Sequence, residues 1–202
     1  MRSHIWQSPS SSRCKAYFRR VTDRSIMTET AGPPGFSLPE ALLSKGFLLR
    51  PETDDDLPFL MQLFASTRAD ELALVPWPEE QKRAFLIQQF SAQRKHYRSF
   101  LADTRYDVLE RDGVPVGRLY LNERRTRAHI VDIALIPGSR DHGIGTAIIT
   151  ALQVYARARG KGVDIFVERT NPARSLYDRM GFKVIREEEI YLEMDWEPDG
   201  LS

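Results

Sequence analysis

The chain has 202 residues, 42% of them hydrophobic and 28% charged, with a formal net charge of +1. That length holds one domain with a sizeable core, or one domain and a tail. The near-neutral balance supplies no field for nucleic acid or an anionic membrane surface, a single cysteine (Cys14) excludes an internal disulfide, and no apolar run reaches the ~20 residues of a membrane span.

The four histidines (His4, His96, His129, His142) show no i, i+3 or i, i+4 pairing, so no protein-held metal is expected. Residues 1–26 carry Arg2, Arg13, Lys15, Arg19, Arg20 and Arg24 against Asp23 alone, interspersed with serine. Such composition suits a transit segment, or a stretch upstream of a start at Met27. Residues 28–40 read as a Pro/Gly linker. The expected boundaries are a tail and linker over 1–46 and a folded domain over 47–197, in a cytoplasmic protein that is a monomer or homodimer.

Phe47–Arg50 is a short apolar run closed by Pro51, and reads as a first strand. Thr53 or Asp54 can cap a helix that carries Leu57, Leu60, Met61 and Phe64 at helical spacing. Asp54–Asp56 then sit at its positive end, as an acidic cap rather than a cation site. After Trp77 a second amphipathic helix runs with Phe85, Leu86, Gln89, Phe90 and Gln93 along or beside one stripe. Tyr106–Glu110 and Val114–Asn122 flank Asp112-Gly113, a hairpin signal. The ERRTR run at 123–127 reads as a solvated turn, with a phosphate patch as the alternative. His129–Ile136 is nearly all apolar, which suits a strand buried on both faces. Thr146–Arg159 reads as a helix carrying Ile148, Ile149, Leu152 and Tyr155 and closed by Gly160 and Gly162, and Val163–Glu168 as a further buried strand. A short helix over Asn171–Met180 ends at Gly181, and two strands fill Phe182–Trp196. The sum is a single α/β domain: a central mixed, mostly antiparallel sheet of six to seven strands flanked by about four helices.

One junction carries chemistry. Between the strand ending near Ile136 and the helix that follows, the chain reads IPGSRDHGIGTAII. Gly143 and Gly145 carry no Cβ, so a ligand can approach the backbone closely. The N–H groups of the helix's first turn point along its axis, where the dipole favours an anion. Arg140 can add charge. The loop lacks the Gly-Lys-Ser/Thr ending of a Walker motif, and Ile148 stands where a dinucleotide fingerprint needs its third glycine.

Arg140-Asp-His-Gly143-Ile-Gly145 resembles the acyl-CoA loop of the GNAT superfamily of N-acetyltransferases, whose pattern is Arg/Gln-x-x-Gly-x-Gly/Ala between a strand and a helix. A second signature of that superfamily follows about thirty residues on, as Asn171-Pro-Ala173-Arg-Ser-Leu176-Tyr177-Asp-Arg-Met-Gly181-Phe182. The resemblance spans Phe47 to Trp196 and departs at Asp141-His142, where members often carry Gly and a basic residue. It implies a GNAT-like fold and transfer of an acetyl group from acetyl-CoA to a primary amine of a small molecule or peptide, by direct attack in a ternary complex. The other reading is a non-catalytic acyl-CoA-binding regulatory module.

By the same resemblance, the main chain of Arg140, Asp141, His142, Gly143, Ile144, Gly145 and Thr146 would hold the pyrophosphate. The pantetheine arm would lie where two strands part, bonding the backbone of Ile133, Ala134 and Leu135. Asn171 would contact the arm or order the next helix, and Tyr177 would protonate the leaving thiolate. From the residues alone, Tyr177 also reads as a core tyrosine. Asp132, inside the apolar run IVDIALI, is the first candidate for the base, with an ion pair to an arginine such as Arg118 as the alternative. His129 is the runner-up, on the other face unless a bulge intervenes; Glu123 and Glu168 are further candidates. Trp77 and Phe85 could wall the acceptor pocket, with Glu79, Glu80 or Gln81 meeting an ammonium, or they could simply pack an amphipathic helix.

Overall fold

Asp112 and Gly113 both take positive φ, 51° and 78°, the backbone that matches a two-residue hairpin to the twist of its strands. The strands they join are β2 (Thr104–Arg111) and β3 (Val114–Glu123). In this computed structural model, which describes residues 35–101 and 103–198, β1 (Phe47–Pro51) pairs antiparallel with β2, and β4 (Arg127–Leu135) with β3. β5 (Gly162–Glu168) runs parallel to β4; β7 (Tyr191–Trp196) pairs antiparallel with β5, and β6 (Lys183–Glu187) with β7. Among the described residues the sheet has seven strands in the order β1-β2-β3-β4-β5-β7-β6. The α/β class and the mixed, mostly antiparallel sheet are those expected from the sequence.

Six helices accompany it among the described residues: α1 (Glu40–Leu43), α2 (Leu57–Thr67), α3 (Ala69–Ala73), α4 (Glu79–Phe100), α5 (Ile144–Arg157) and α6 (Arg174–Arg179). The two beyond the expected four, α1 and α3, are single turns too short to show a period in sequence. None of the helices of the described residues is long and apolar enough to cross a membrane.

The described chain groups into two compact units. One is helical and holds α2, α3 and α4. Leu60 and Leu63 are fully buried in it, and α2 meets α4 through Phe64 and Phe90, ring centroids 5.8 Å apart. The other holds the sheet, α1, α5 and α6. Its core joins Leu109, Leu119 and Ile130 of the strands to Ile148, Ile149 and Leu152 of α5. The stripe at Ile148, Ile149 and Leu152 is the face that helical spacing assigned to the interior.

The packed chain begins earlier than the boundary at residue 46. Phe36, Leu38 and Leu42 are buried in the sheet unit's core with Phe47. The Phe36 ring meets Tyr155 edge-on at 5.7 Å, and Arg105 Nη1 donates to the Phe36 carbonyl over 2.6 Å. Pro and Gly report a non-repetitive backbone, but they carry no information about where the apolar side chains between them go. The reading of residues 1–26 lies outside the described residues.

The acidic run also works differently from a plain helix cap. Asp54–Asp56 forms a 3-10 turn ahead of α2, and Asp56, 5% exposed, accepts hydrogen bonds from Arg50 Nη1 and Nη2 at 2.8 and 2.7 Å and from the Thr53 N–H at 2.8 Å. Arg50 Nε also donates to Glu110 over 2.7 Å. The Arg50 guanidinium is the main reason that the Asp56 carboxyl is held down to about 2. The pair ties the exit of β1 to the acidic turn that follows it.

Candidate active site

β4 organises the site because its alternation is interrupted once. Tyr120 of β3 lies opposite Asp132, but Leu121 lies opposite Ile130, so Val131 is an extra residue in the strand. Such a bulge resets which face each following side chain takes. Ala128 and Ile130 point into the core before it; Ile133 and Leu135 pack against the same core after it. His129 and Asp132, which strict alternation would set on opposite faces, therefore share one. Their cross-strand neighbours Asn122 and Tyr120 lie on that face too.

Beyond the bulge the strands separate. β4 pairs with β5 from Arg127↔Gly162 to Ile130↔Ile165, and β5 goes on to pair with β7 as far as Glu168↔Tyr191. Residues 131–135 are accordingly half-buried rather than sealed on both faces as expected. The Ile136 N–H donates to Val116 O across β3 at 2.9 Å. Main-chain groups alternate in direction along a strand, so the carbonyl of Leu135 faces the opposite, parted edge.

A close approach holds β4 against β3 here. A Cβ on Gly117 would stand 2.5 Å from the Ala134 carbonyl and 2.7 Å from Leu135 Cδ2. Gly117 was not singled out in the sequence; a glycine inside the alternating run VPVGRLYLN is the signal that could have found it.

The glycine loop follows the end of β4. A 3-10 turn over Pro137–Ser139 leads to Gly143, which takes φ +75° and N-caps α5 with open space where a Cβ would be. The Ala147 N–H makes the helix's first bond, to the Gly143 carbonyl at 2.9 Å, so the N–H groups of Ile144, Gly145 and Thr146 have no partner within the helix. Gly145 faces α6: its Cβ would come 3.5 Å from Leu176, an ordinary contact. The two signature stretches thus touch. The Arg140 side chain turns back to β4, where Nε donates to Leu135 O over 2.9 Å, and His142 Nδ1–H donates to the Arg140 carbonyl.

Asp141, the departure from the family pattern, takes φ +60°. A left-handed backbone costs a residue with a Cβ on the order of 1 kcal/mol, less for Asp than for most. Asp141→Gly is expected to raise Tm by about 1–3 °C. If the loop holds an anion, the same change should tighten it severalfold by removing a like charge. Thermal melts and calorimetry with coenzyme A check both.

Tyr177, on α6, is 4% exposed and packs edge-on against Phe182 at 5.7 Å. Burial, with the nearby Asp132 charge adding to it, pushes its phenol above the ordinary value of 10. Asp132 is ion-paired: Arg118 Nη2 donates to its Oδ2 over 2.7 Å, with Arg118 4% and Asp132 16% exposed at the side chain. The arginine pairing considered from the sequence is thus present. Arg118 also lies over the Tyr120 ring at 5.0 Å, and the Tyr120 hydroxyl donates to Glu52.

His129 is 2% exposed and bonds Asp164 through Nδ1 at 2.9 Å. Burial lowers its pKa below the usual 6.5 despite the carboxylate, and the Nδ1 that faces the Asp164 oxygen is the donor of that bond. Burial works against the Asp164 charge, but His129, Arg124 and Arg127 outweigh it and hold that carboxyl below its usual range. Asp164 was not singled out in the sequence, because its parallel-strand partner is thirty-five residues away.

Asn171 Oδ1 accepts the Ala173 N–H at 2.8 Å, in a turn ahead of α6. Glu123 is engaged by Lys161 at 3.0 Å and by the Tyr155 hydroxyl. Glu168 ends the β5 ladder opposite Tyr191. Within the helical unit, Trp77 and Phe85 pack edge-on at 5.5 Å, and Glu79 pairs with Lys82 at 2.9 Å.

Solved structures share this fold. PaiA N-acetyltransferase from Thermoplasma acidophilum, crystallised in complex with coenzyme A, is 18% identical with a TM-score of 0.57, over 75% of this chain and 99% of that one. A GCN5-related N-acetyltransferase from Rhodopseudomonas palustris is 19% identical with a TM-score of 0.54, over 83% of this chain and all of that one (100%). An acetyltransferase from Thermus thermophilus is 18% identical with a TM-score of 0.55, over 75% and 97%. No curated protein matches in sequence. The model of the acetyltransferase (GNAT) family, whose members take acetyl-CoA as co-substrate, matches residues 60–182. That span is more than half of the chain and contains both signature stretches with the parted edge of β4 ahead of them: this protein belongs to the acetyltransferase (GNAT) family.

Proposed function

We propose that this protein transfers an acetyl group from acetyl-CoA to a primary amine, of a small molecule or a peptide, by direct attack within a ternary complex. The observation that carries the reading is the convergence at one place of the parted β4 edge, the uncapped start of α5 and the buried Tyr177 beside Asp132. The residues present fit the co-substrate: the open space at Gly143 and the N–H groups of Ile144, Gly145 and Thr146 suit a diphosphate. The edge at Ile133 and Leu135 suits the amides of a pantetheine arm.

The chemistry then follows from these groups. An alkyl ammonium, with a pKa near 10, must lose a proton before its nitrogen can attack. Two groups on one face of β4 can take that proton, Asp132 and His129, which Asp164 orients. The nitrogen lone pair forms the new C–N bond, the C–S bond breaks with its electron pair on sulfur, the nitrogen sheds its remaining surplus proton to the base and on to water as the amide forms, and the sulfur leaves as the thiolate. Tyr177 acts on the leaving sulfur. Its phenol lies above 10 while an ordinary thiol lies at about 8.5, so Tyr177 keeps its proton and stabilises the thiolate by donating a hydrogen bond.

The test is coenzyme A release across a broad panel of amines, with calorimetry of coenzyme A binding alongside. Gly145→Val adds a branched side chain at the second residue of α5, on the side that meets Leu176 of α6, and is expected to weaken coenzyme A at least tenfold at the cost of a few degrees in Tm. Unchanged affinity in that variant overturns the loop assignment. Binding without turnover of any amine favours the regulatory module instead.

A further inference from the structure

Arg140 heads the glycine loop, yet its Nε donates to the Leu135 carbonyl, five residues back on β4, over 2.9 Å. The same peptide unit is bonded at its other end, because the Ile136 N–H donates to Val116 O on β3 at 2.9 Å. One peptide plane is therefore pinned from both edges of β4, by β3 on one side and by the Arg140 guanidinium on the other. It lies at the far end of the edge that β4 leaves open after Ile130↔Ile165. Gly117 completes the fixation, since its lack of a Cβ is what lets β3 sit against Ala134 and Leu135.

We propose that Arg140 is a positioning residue that acts through the Leu135 carbonyl: it fixes the orientation of the open β4 edge along which an acyl-pantetheine arm pairs, and is not chiefly a counter-charge for the diphosphate. This rests on the acetyl-CoA reading above. The physical reason is geometric. The outward main-chain groups of a strand end are set by peptide planes that can rotate when nothing holds them, and an arm that pairs with a strand edge needs those planes fixed beforehand.

Two variants separate the donor from the charge. Arg140→Gln keeps an N–H donor without a positive charge, and Arg140→Ala removes both. Coenzyme A affinity is measured by calorimetry at 50 and 300 mM NaCl, where an exposed ion pair is increasingly screened. The proposal expects Gln within about threefold of wild type at both salt concentrations, and Ala weaker by about tenfold at both. It is overturned if Gln and Ala lose affinity equally, if the Ala loss shrinks markedly at 300 mM, or if Ala binds like wild type. Amide exchange read by NMR in the ligand-free protein gives a second readout. The Ile136 amide should exchange about tenfold faster in Ala and at the wild-type rate in Gln, and equal rates in all three overturn the proposal. Wild-type protein that binds no coenzyme A defeats the acetyl-CoA reading itself. That result is distinct from tight wild-type binding with a failed Gln rescue, which defeats only the role of Arg140.

Discussion

Tyr177→Phe is expected to lower kcat about a hundredfold while coenzyme A affinity stays within about twofold and Tm within a few degrees. The hydroxyl is the only group removed, and the ring keeps its contact with Phe182. A preorganised donor aimed at developing charge in a water-poor site contributes on the order of 10²–10³ in rate. The pH dependence adds a sharper check. Burial and Asp132 hold the phenol above its ordinary value, so it remains protonated through pH 9.5 and wild-type kcat should show no tyrosine limb below that. Wild-type turnover in the Phe variant would remove Tyr177 from the chemistry and leave it as a core residue of α6.

The second large effect concerns the Arg118–Asp132 pair. Arg118 is almost wholly buried, so deleting its partner leaves a buried cation without its carboxylate. Asp132→Ala is expected to cost about 3 kcal/mol, or roughly 6–12 °C in Tm for a chain of this size. Replacing both residues by leucine should recover most of that loss, because an apolar pair avoids the desolvation that the ion pair had to offset. Activity decides between the two roles of Asp132. If Asp132 accepts the amine's proton, the double variant melts near wild type yet stays at least a hundredfold slow. Recovery of rate together with stability assigns Asp132 to structure and leaves His129 as the acceptor. Melts and steady-state kinetics on wild type, Arg118→Leu, Asp132→Leu and the double variant complete the cycle.

These tests concern residues whose types were legible in the sequence and whose arrangement was not. The strands and the long helices could be read because their signals are local: alternation around Asp112-Gly113, the Ile148, Ile149 and Leu152 stripe, the glycine after a strand. α1 and α3 escaped because one turn has no period. Phe36, Leu38 and Leu42 escaped because a Pro/Gly segment reports backbone stiffness but not the core it crosses. Asp132 was visible as a polar residue in an apolar run, with an arginine partner as one of two readings. Which reading applies depends on the strand opposite, and there Ala134 is the cross-strand neighbour of Arg118, two residues beyond the carboxylate it bonds.

The amino-acid order by itself determined the class of fold, the succession of most elements and the loop whose spacing of Arg140, Gly143 and Gly145 resembles the family's signature, since each depends on residues within a few positions of one another. Only the tertiary structure decided that Val131 is an extra residue, that His129 and Asp132 consequently share a face, that Asp164 orients the histidine, and that Arg140 reaches back to Leu135. The first three depend on strand register and on pairing between strands distant in sequence. The last is a short loop closing on its own strand, where the backbone path sets the side chain's target.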